Sequence, residues 1–410
     1  MRILPVSSGK GGVGKTTFAL NFALALSRQQ RTVLIDLDSG TSSLRHFLDM
    51  PISRDLYHFL KKNSPLESCL TRLDKRLDPE AAFKNFSLLA SPAHYIHDLV
   101  NLDQATKTRL VNGINGLDAD YVIIDLKAGL DAGVTEFLPY FNTGIIVFTP
   151  KMKAAANAAV QMTKAILSRT FQQLFLSSSA RQAHLSRIGV NSADAVERLG
   201  RVLDQFEEGK LKDLEELLPE FKSIITSPKF FQLLNHFLGN YRVYFVLNQF
   251  NSAAESFANV VKPFVFNLHQ ALSPRIAVHN LGWVMADDEI RQSTERGVPY
   301  LVQRHYLKKR PPADESDIDQ IMRTMFGVGK EKAVTAVPAR GPDVGAALTN
   351  QVDLLRKIYL CNSDRDPETN FDFIVERVRA IANSSIHQLG MSRIYPPSEF
   401  LNYFYSLVEN

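Results

Sequence analysis

Residues 8–17 read SGKGGVGKTT, and this stretch is the strongest indication of the fold class. It contains the pattern GxxxxGK[ST] between an apolar run that predicts a strand and a pattern that predicts a helix. Glycines let backbone N–H groups turn towards a polyanion, and the positive end of the helix dipole adds to that attraction. The stretch therefore predicts a phosphate-binding loop, in which we expect these residues to contact a nucleotide: Gly9, Gly11, Gly12, Val13, Gly14, Lys15, Thr16 and Thr17.

Three side chains of the phosphate-binding loop have separate expected roles. Lys15 should reach the β- and γ-phosphates, and the hydroxyl of Thr16 should bind Mg²⁺. Thr17, one position further along the helix, can donate to the α-phosphate. The loop thus predicts a Mg²⁺-nucleotide complex rather than a bare phosphate ion.

Acidic residues follow the apolar runs of two further predicted strands. Val33–Asp38 reads VLIDLD, and strand alternation places Asp36 and Asp38 on the same side. Tyr121–Asp125 reads YVIID, the form of a Walker B strand whose carboxylate holds Mg²⁺ through a water. Ligands of α/β proteins bind at the carboxyl ends of the strands, so these acids should lie beside the loop. A helix-capping role is the alternative for Asp38.

The first 150 residues alternate β-rich apolar runs with helical patterns, which predicts a doubly wound, mostly parallel α/β sheet. The predicted strands are Ile3–Ser7, Thr32–Asp36, Phe86–Ala90, Tyr121–Asp125 and Gly144–Thr149. The predicted helices between them are Lys15–Arg28, Arg54–Lys62, Asp103–Gly113 and Gly133–Tyr140.

Beyond residue 150 the pattern is helical until a strand returns at Val243–Leu247, followed by an Asn-Gln loop. We therefore expect a P-loop domain over residues 1–305 that contains a helical insertion at about 171–240. The run KKRPP from Lys308 to Pro312 marks a boundary, because paired prolines stop a helix. Residues 306–410 should form a linker and a small helical module, with helices at Asn350–Tyr359, Phe371–Leu389 and Ser398–Val408.

Composition excludes several classes of protein. The chain has 410 residues, 45% of them hydrophobic, as expected of a globular protein. Its two cysteines, Cys69 and Cys361, are too far apart in sequence to suggest a disulfide framework or a cysteine metal site. No signal-peptide pattern or long apolar run occurs, which predicts a cytoplasmic protein with at most peripheral membrane contact. A net charge of +4, spread along the chain, leaves nonspecific DNA binding possible but unsupported.

A second lysine inside the loop, Lys10, points to one family. The sequence KGGVGKTT resembles the deviant Walker A signature of MinD, ParA and their relatives. The resemblance implies that Lys10 crosses a face-to-face dimer to the partner's nucleotide, so that ATP bridges two subunits. It also implies an ATPase of the SIMIBI class of P-loop proteins, with ATP and Mg²⁺ as cofactors.

Other segments carry the same resemblance over residues 1 to about 305, interrupted by the insertion. It implies that Asp38 activates the attacking water, that Asp36 lies nearer the metal, and that Asp125 and Gly129 belong to switch II, where Lys127 departs from the usual Pro or Gly. Asn248 resembles the strand-end amide that recognises adenine, and Leu281–Pro299 resembles the final strand, loop and helix. Lys10, Lys15, Asp38 and Asp125 are the expected catalytic residues, and Thr16, Asp36 and Asp125 the expected metal site.

The layout of IDLKAG followed by an alanine-rich helix from Lys153 is most similar to flagellar-number regulators of the FlhG type. This implies a switch that positions a cellular assembly through an unidentified protein partner, with recruitment to a pole or a membrane-associated structure. Iron-sulfur relatives would need paired cysteines, which this sequence does not contain. Tyr395, Tyr403 and Tyr405 are only weakly similar to the tyrosine cluster of a bacterial tyrosine kinase, and we expect them to pack a terminal helix. The remaining alternative is a nucleotide-binding scaffold without hydrolysis.

Overall fold

The computed structural model describes residues 1–38, 43–93, 102–129, 136–177, 184–251, 256–308, 366–383 and 391–409. Across these residues, seven strands pair in parallel in the order β3-β2-β4-β1-β5-β6-β7. The strands are β1 (Arg2–Ser7), β2 (Thr32–Asp36), β3 (Phe86–Leu89), β4 (Tyr121–Asp125), β5 (Asn142–Phe148), β6 (Arg242–Phe250) and β7 (Ala277–Met285).

Burial of both sheet faces explains why the strands read as nearly continuous apolar runs instead of alternating ones. Every residue of β2, β4 and β5 is buried. The predicted α/β class, a doubly wound parallel sheet, is therefore confirmed.

The helices in the first half are α1 (Lys15–Ser27), α2 (Ser43–His46), α3 (Leu56–Lys62), α4 (Gln104–Asn115) and α5 (Lys153–Phe175). Those in the second half are α6 (Ala193–Glu207), α7 (Leu214–Ile224), α8 (Pro228–Asn240), α9 (Lys262–Ala271), α10 (Asp288–Glu295), α11 (Tyr300–Lys308), α12 (Pro367–Asn383) and α13 (Pro397–Glu409). Short 3₁₀ turns lie at Leu66–Cys69 and Leu185–Ile188, and a π-turn at Phe257–Val261 leads into α9. In the described part of the chain, no helix is both long enough and apolar enough to cross a membrane.

The helix predicted at Gly133–Tyr140 is wrong where it can be compared, because residues 136–140 form turns. The side chain of Arg169 donates to the carbonyls of Leu138 and Glu136 at 3.0 and 3.3 Å, replacing helical hydrogen bonds. Tyr140 is buried and stacks on Phe400 with ring centroids 3.8 Å apart. Tertiary contacts therefore fix this segment, and residues 133–135 lie outside the described part.

The insertion helices, α6 to α8, lie between β5 and β6 in the chain. The stretch predicted to open the insertion at residue 171 is part of α5, which runs unbroken from Lys153 to Phe175. Phe206, Phe221 and Phe230 bury completely in this region. Aromatic pairs fill the space between the insertion helices and α5, with Phe175 and Phe221 centroids 5.0 Å apart.

The C-terminal helices pack on the rest of the protein. Helix α12 lies on β7 and α1, and Arg28 at the end of α1 pairs with Glu368 and Asp372 at 2.7 and 2.8 Å. Helix α13 packs on α8 and α5, and the hydroxyl of buried Tyr405 donates to the Leu174 carbonyl at 2.9 Å. The expectation that the terminal tyrosines pack a helix is confirmed for Tyr405. The predicted helix Asn350–Tyr359 and residues 384–389 lie outside the described residues.

Candidate nucleotide-binding site

The phosphate-binding loop joins β1 to α1, as predicted. Gly12 and Gly14 adopt φ values of 79° and 77°, a left-handed conformation that favours glycine. Gly14 is the N-cap of α1 and no side chain caps that helix, so its first N–H groups remain available to an anion. The other predicted residues of the loop differ in burial. Gly9 is half-buried beside Ala158 of α5, Gly11 is exposed and Val13 is buried.

Lys15 and Asp125 form a buried ion pair beneath the loop. Nζ of Lys15 lies 2.5 Å from Oδ1 of Asp125, and the two side chains are 6% and 0% exposed. Burial raises the pKa of the Asp125 carboxyl, while Lys15 and a hydrogen bond from Thr16 act in the opposite direction. The structure thus brings together Lys15, Thr16 and Asp125, three residues that the sequence predicted for one site.

Asp36 lies beside Asp125, because β2 and β4 pair in a register that aligns these two residues. Its Oδ1 accepts the backbone N–H of Asp38 at 2.9 Å, whereas Oδ2 of Asp36 and Oδ2 of Asp125 are buried without a hydrogen-bond partner among the described residues. Burial and the neighbouring charge of Asp125 raise the pKa of Asp36 to about 8. Two buried carboxylates with unpartnered oxygens form a donor set that Mg²⁺ prefers, and the Thr16 hydroxyl extends it.

Asp38 is half-buried and follows β2 rather than belonging to it. Strand alternation, which was expected to place Asp38 on the same side as Asp36, does not apply because the strand ends at Asp36. The bond from the Asp38 backbone to the Asp36 carboxylate forms the turn instead. The negative charge of Asp38 nevertheless contributes to the raised pKa of both buried carboxyls, which places it near them.

The segment after β4 is tied to the start of the phosphate-binding loop. The N–H of Leu126 donates to the Val6 carbonyl at 3.1 Å, and that of Gly129 donates to the Ser8 carbonyl at 2.9 Å. Lys127 is exposed between them. Gly129 therefore contacts the loop directly, which links the predicted switch II to the phosphate-binding loop.

A cavity of about 510 Å³, here called the nucleoside pocket, opens beside Gly14 and Thr17. It lies between the ends of β6 and β7 and the start of α10, where a base and ribose attached to phosphates in the loop would extend. Much of its lining comes from Asn248, Gln249 and the run Leu281–Pro299, which the sequence had singled out. Lys151 was not expected there. It follows β5, and only the topology brings it to the same edge of the sheet.

Asn248 lines the nucleoside pocket but lies inside β6 and not in a loop after it. The pairing of β6 with β7 shifts register here, and Gln249 has a φ of 56°. Nδ2 of Asn248 donates to the carbonyls of Val13 and Gly14 at 2.9 and 3.2 Å. The contact that the structure shows for this amide is thus with the phosphate-binding loop, and base recognition by its Oδ1 stays a prediction.

Lys10 differs from the other predicted site residues because its side chain is exposed. No ion pair of Lys10 occurs within the described residues. The site of one chain therefore contains Lys15, Thr16, Asp36 and Asp125 together, with Asp38 adjacent and Lys10 directed to no described acid.

The chain matches a known family of nucleotide-binding domains. Residues 4–300 match the family described as the CobQ/CobB/MinD/ParA nucleotide binding domain. The septum site-determining protein MinD of Synechocystis sp. is 35% identical over 158 residues, which are 38% of this chain and 56% of that protein. MinD of Helicobacter pylori is 31% identical over 155 residues, or 37% and 54% of the two chains. The chain thus spans about half the length of the curated relatives it matches.

MinD of Pyrococcus horikoshii complexed with Mg-ADP aligns at a TM-score of 0.40 and 16% identity, covering 73% of this chain and 87% of that one. A ParA family ATPase of Chlorobium tepidum aligns at a TM-score of 0.41 and 17% identity, covering 73% and 91%. The family match over residues 4–300 includes both the phosphate-binding loop and the strands that carry Asp36 and Asp125. The chain therefore belongs to the CobQ/CobB/MinD/ParA family of nucleotide-binding domains.

Proposed function

We propose that this protein is a Mg-ATP-hydrolysing switch that dimerises with ATP bound and positions or regulates a cellular assembly. The observation that carries the proposal is the pairing of Asp36 with Asp125 beside Lys15. Buried carboxylates with unpartnered oxygens are costly unless a cation completes the site. Their position directly below the phosphate-binding loop suits the Mg²⁺ of a bound nucleotide.

Each residue then has a defined task. Lys15 and the open N–H groups of α1 hold the β- and γ-phosphates, with Lys15 moving its ammonium from Asp125 to the phosphates. Thr16, Asp36 and Asp125 would hold Mg²⁺, which would neutralise the charge that develops on the phosphates. Asp38 orients the attacking water, and Gly129 transmits the state of the site to the segment after β4.

Lys10 supplies the link to a second copy of the chain. An exposed lysine in a phosphate-binding loop that already contains Lys15 is free to reach the nucleotide of a facing subunit. Hydrolysis then removes the γ-phosphate that this lysine contacts and separates the dimer. The switch would act in the cytoplasm and be recruited by a protein partner to a pole or a membrane-associated assembly, as the similarity to MinD and to FlhG-type regulators suggests.

The test compares ATP turnover and oligomeric state in three variants. Lys10→Ala should stay monomeric with ATP and lose turnover by about 10²-fold or more, since an arginine supplied in trans is worth about 10³ to 10⁵. Asp38→Ala should remain a dimer with ATP but hydrolyse it far more slowly. Lys84→Ala is the matched control, because this exposed lysine precedes β3 at the opposite edge of the sheet.

Light scattering after size-exclusion chromatography, with ATP and with ADP, measures the oligomeric state alongside phosphate release. A wild-type protein that binds ATP but neither dimerises nor hydrolyses it, even with its partner present, would favour the nucleotide-binding scaffold instead. Unchanged turnover in Lys10→Ala would remove the role in trans.

A further inference from the structure

Part of the lining of the nucleoside pocket comes from the C-terminal region of the chain. Phe371, in the first half of α12, lines this pocket together with residues from the edge of the sheet. It lies beyond residues 4–300, the part that matches the family of nucleotide-binding domains. The fold common to the family therefore does not supply this side chain, and the proposed hydrolysis mechanism does not use it.

Phe371 closes the pocket beside the start of α1. Its ring lies against that of Phe18, with centroids 6.1 Å apart and planes at 24°. Among the described residues these are the aromatic side chains that line the pocket, and both are only 1% exposed. Because both rings are apolar and planar, they form a floor that suits the packing of a purine base, whereas ribose hydroxyls need polar partners.

Asn370, next to Phe371 in the sequence, holds the end of β7 in place. Its Oδ1 accepts the backbone N–H of Met285 at 3.1 Å, and Asn370 is itself buried. Val284, Met285 and Ala286 all line the nucleoside pocket. Asn370 is therefore a positioning residue, because it fixes the backbone of the lining without contacting the nucleotide.

Helix α12 fits closely against β7 and α1. A β-carbon on Gly282 of β7 would lie 2.7 Å from Cγ1 of Ile374, so this close approach requires glycine. At the start of α12, the carboxylate of Glu368 accepts from Arg28 of α1 and from Lys308 of α11, at 2.7 and 2.6 Å. The helix is thus held to the strand and to the helix whose residues line the pocket.

We propose that α12 completes the base-binding part of the nucleotide site. Phe371 forms the apolar floor against which the base of ATP or ADP packs, and Asn370 sets the position of the strand end beside it. The inference rests on the proposed binding of adenine nucleotides at this site, but not on hydrolysis, on dimerisation or on the role of Lys10. The C-terminal helix then contributes to affinity for the base, and the phosphate-binding loop contributes to affinity for the phosphates.

The experiment compares two ligands in the presence of Mg²⁺: ADP, and ribose 5-diphosphate, which lacks only the base. Calorimetry on the full chain gives the ratio of the two affinities, and this ratio measures what the base contributes. Phe371→Ala should lower the affinity for ADP about tenfold, within the range that contact between a base and an aromatic ring supplies. Its affinity for ribose 5-diphosphate should stay within about twofold of the wild-type value.

Phe373→Ala is the matched control, because it removes the same kind of ring from the same helix. Phe373 packs against Trp283 of β7 with ring centroids 6.0 Å apart, and it does not line the nucleoside pocket. The ratio of affinities should therefore equal that of the wild type. If Phe371 only held α12 in place, Phe371→Ala would change the ratio no more than Phe373→Ala does.

Two further variants keep the test decisive if Phe371→Ala does not fold, which circular dichroism checks. Phe371→Leu keeps an apolar side chain beside Phe18 but loses the planar ring, and should lower the affinity for ADP about threefold. Asn370→Ala leaves the N–H of Met285 without this acceptor, and should lower the affinity for ADP about threefold to tenfold. Both variants should keep the wild-type affinity for ribose 5-diphosphate.

An unchanged ratio in Phe371→Leu, Asn370→Ala and, where it folds, Phe371→Ala would overturn the inference, because α12 would then only stabilise the fold. Equal loss of affinity for both ligands would also overturn it, since the substitutions would have acted on the phosphate-binding loop. Either result leaves the proposed switch standing. A protein that shows the expected ratios but neither hydrolyses ATP nor dimerises would contradict the proposed function and support the inference.

Discussion

Two helices that start at the carboxyl edge of the sheet, α1 and α5, begin differently from the insertion helices, whereas α10 at the same edge is capped by Asp287. Helices α1 and α5 start after Gly14 and Met152, and neither has a side chain that caps it. The insertion helices are capped by Ser192, Asp213 and Ser227, whose oxygens accept backbone N–H groups at 3.1, 3.0 and 3.3 Å. The first N–H groups of α1 and α5 therefore have no side-chain acceptor among the described residues, whereas each insertion helix has one.

The difference distinguishes helices that contribute to the stability of the fold from a sheet edge that is left to bind a ligand. Capped helices satisfy their own polar groups and contribute to stability whatever is bound. At the sheet edge, the uncapped N-terminus of α1 and the oxygens of Asp36 and Asp125 that have no partner among the described residues are left for a ligand to satisfy. Changes in the insertion should therefore alter stability, whereas changes at the edge should alter the response to ligands or to pH.

The largest effect on stability is expected from Phe230→Ala in α8. Phe230 is fully buried, and its ring packs against those of Phe175, Phe404 and Tyr405 with centroids 5.8, 6.2 and 6.3 Å away. Truncation leaves a cavity among these rings, so the free energy of unfolding should fall by about 3–5 kcal/mol. Denaturant unfolding measures that change, and nucleotide affinity below the transition should be unaltered.

Phe266→Ala is the control for this prediction. Phe266 lies on α9 with 47% of its surface exposed, so its truncation should cost less than about 1 kcal/mol. Loss of nucleotide binding in a folded Phe230→Ala protein would contradict the division between the two regions.

An intermediate effect is expected from Asp36→Asn at the sheet edge, and it should depend on pH. Burial and the charge of Asp125 raise the pKa of Asp36 from an ordinary 3.8 to about 8. The folded protein therefore keeps a proton that the unfolded chain releases, and the free energy of unfolding falls as pH rises from about 4 to about 8. Asparagine carries no such proton and retains an acceptor for the Asp38 N–H.

Relative to wild type, Asp36→Asn should therefore gain about 3 kcal/mol of stability between about pH 5 and about pH 7.5. Unfolding of nucleotide-free protein in a metal chelator measures this difference. Asp118→Asn is the matched control, since the Asp118 side chain is 85% exposed, and it should show no such gain. Equal differences in the two variants would mean that burial of Asp36 does not set its titration.

The sequence predicted what local chemistry determines. The phosphate-binding loop and the apolar strands before Asp36 and Asp125 are specified by residues adjacent in sequence, and the structure places them as expected. Features that depend on contacts between distant parts of the chain were not predicted from the sequence. The turn at residues 136–140 depends on Arg169 from a distant helix. Likewise, the position of Asn248 depends on a register shift against β7.

The nucleoside pocket could not be predicted as a whole for the same reason. Lys151 and Asn248 both line it although they are far apart in the sequence. They meet only because β5 and β6 are neighbours whose carboxyl ends lie at one edge of the sheet. A sequence pattern identifies a ligand site when one segment supplies most of it, as the phosphate-binding loop does, and misses a site shared among several segments.

The smallest effect is expected from Ser192→Ala at the start of α6. The Ser192 hydroxyl accepts the N–H of Ala195 at 3.1 Å, and alanine leaves that donor to water, so the free energy of unfolding should fall by about 1 kcal/mol. Ser223→Ala is the control, because Ser223 is exposed inside α7, where alanine is the better helix former. Inorganic phosphate should not restore the lost stability in Ser192→Ala. A capped N-terminus has no ligand to gain, so recovery of stability with phosphate would show that α6 can bind an anion once its cap is removed.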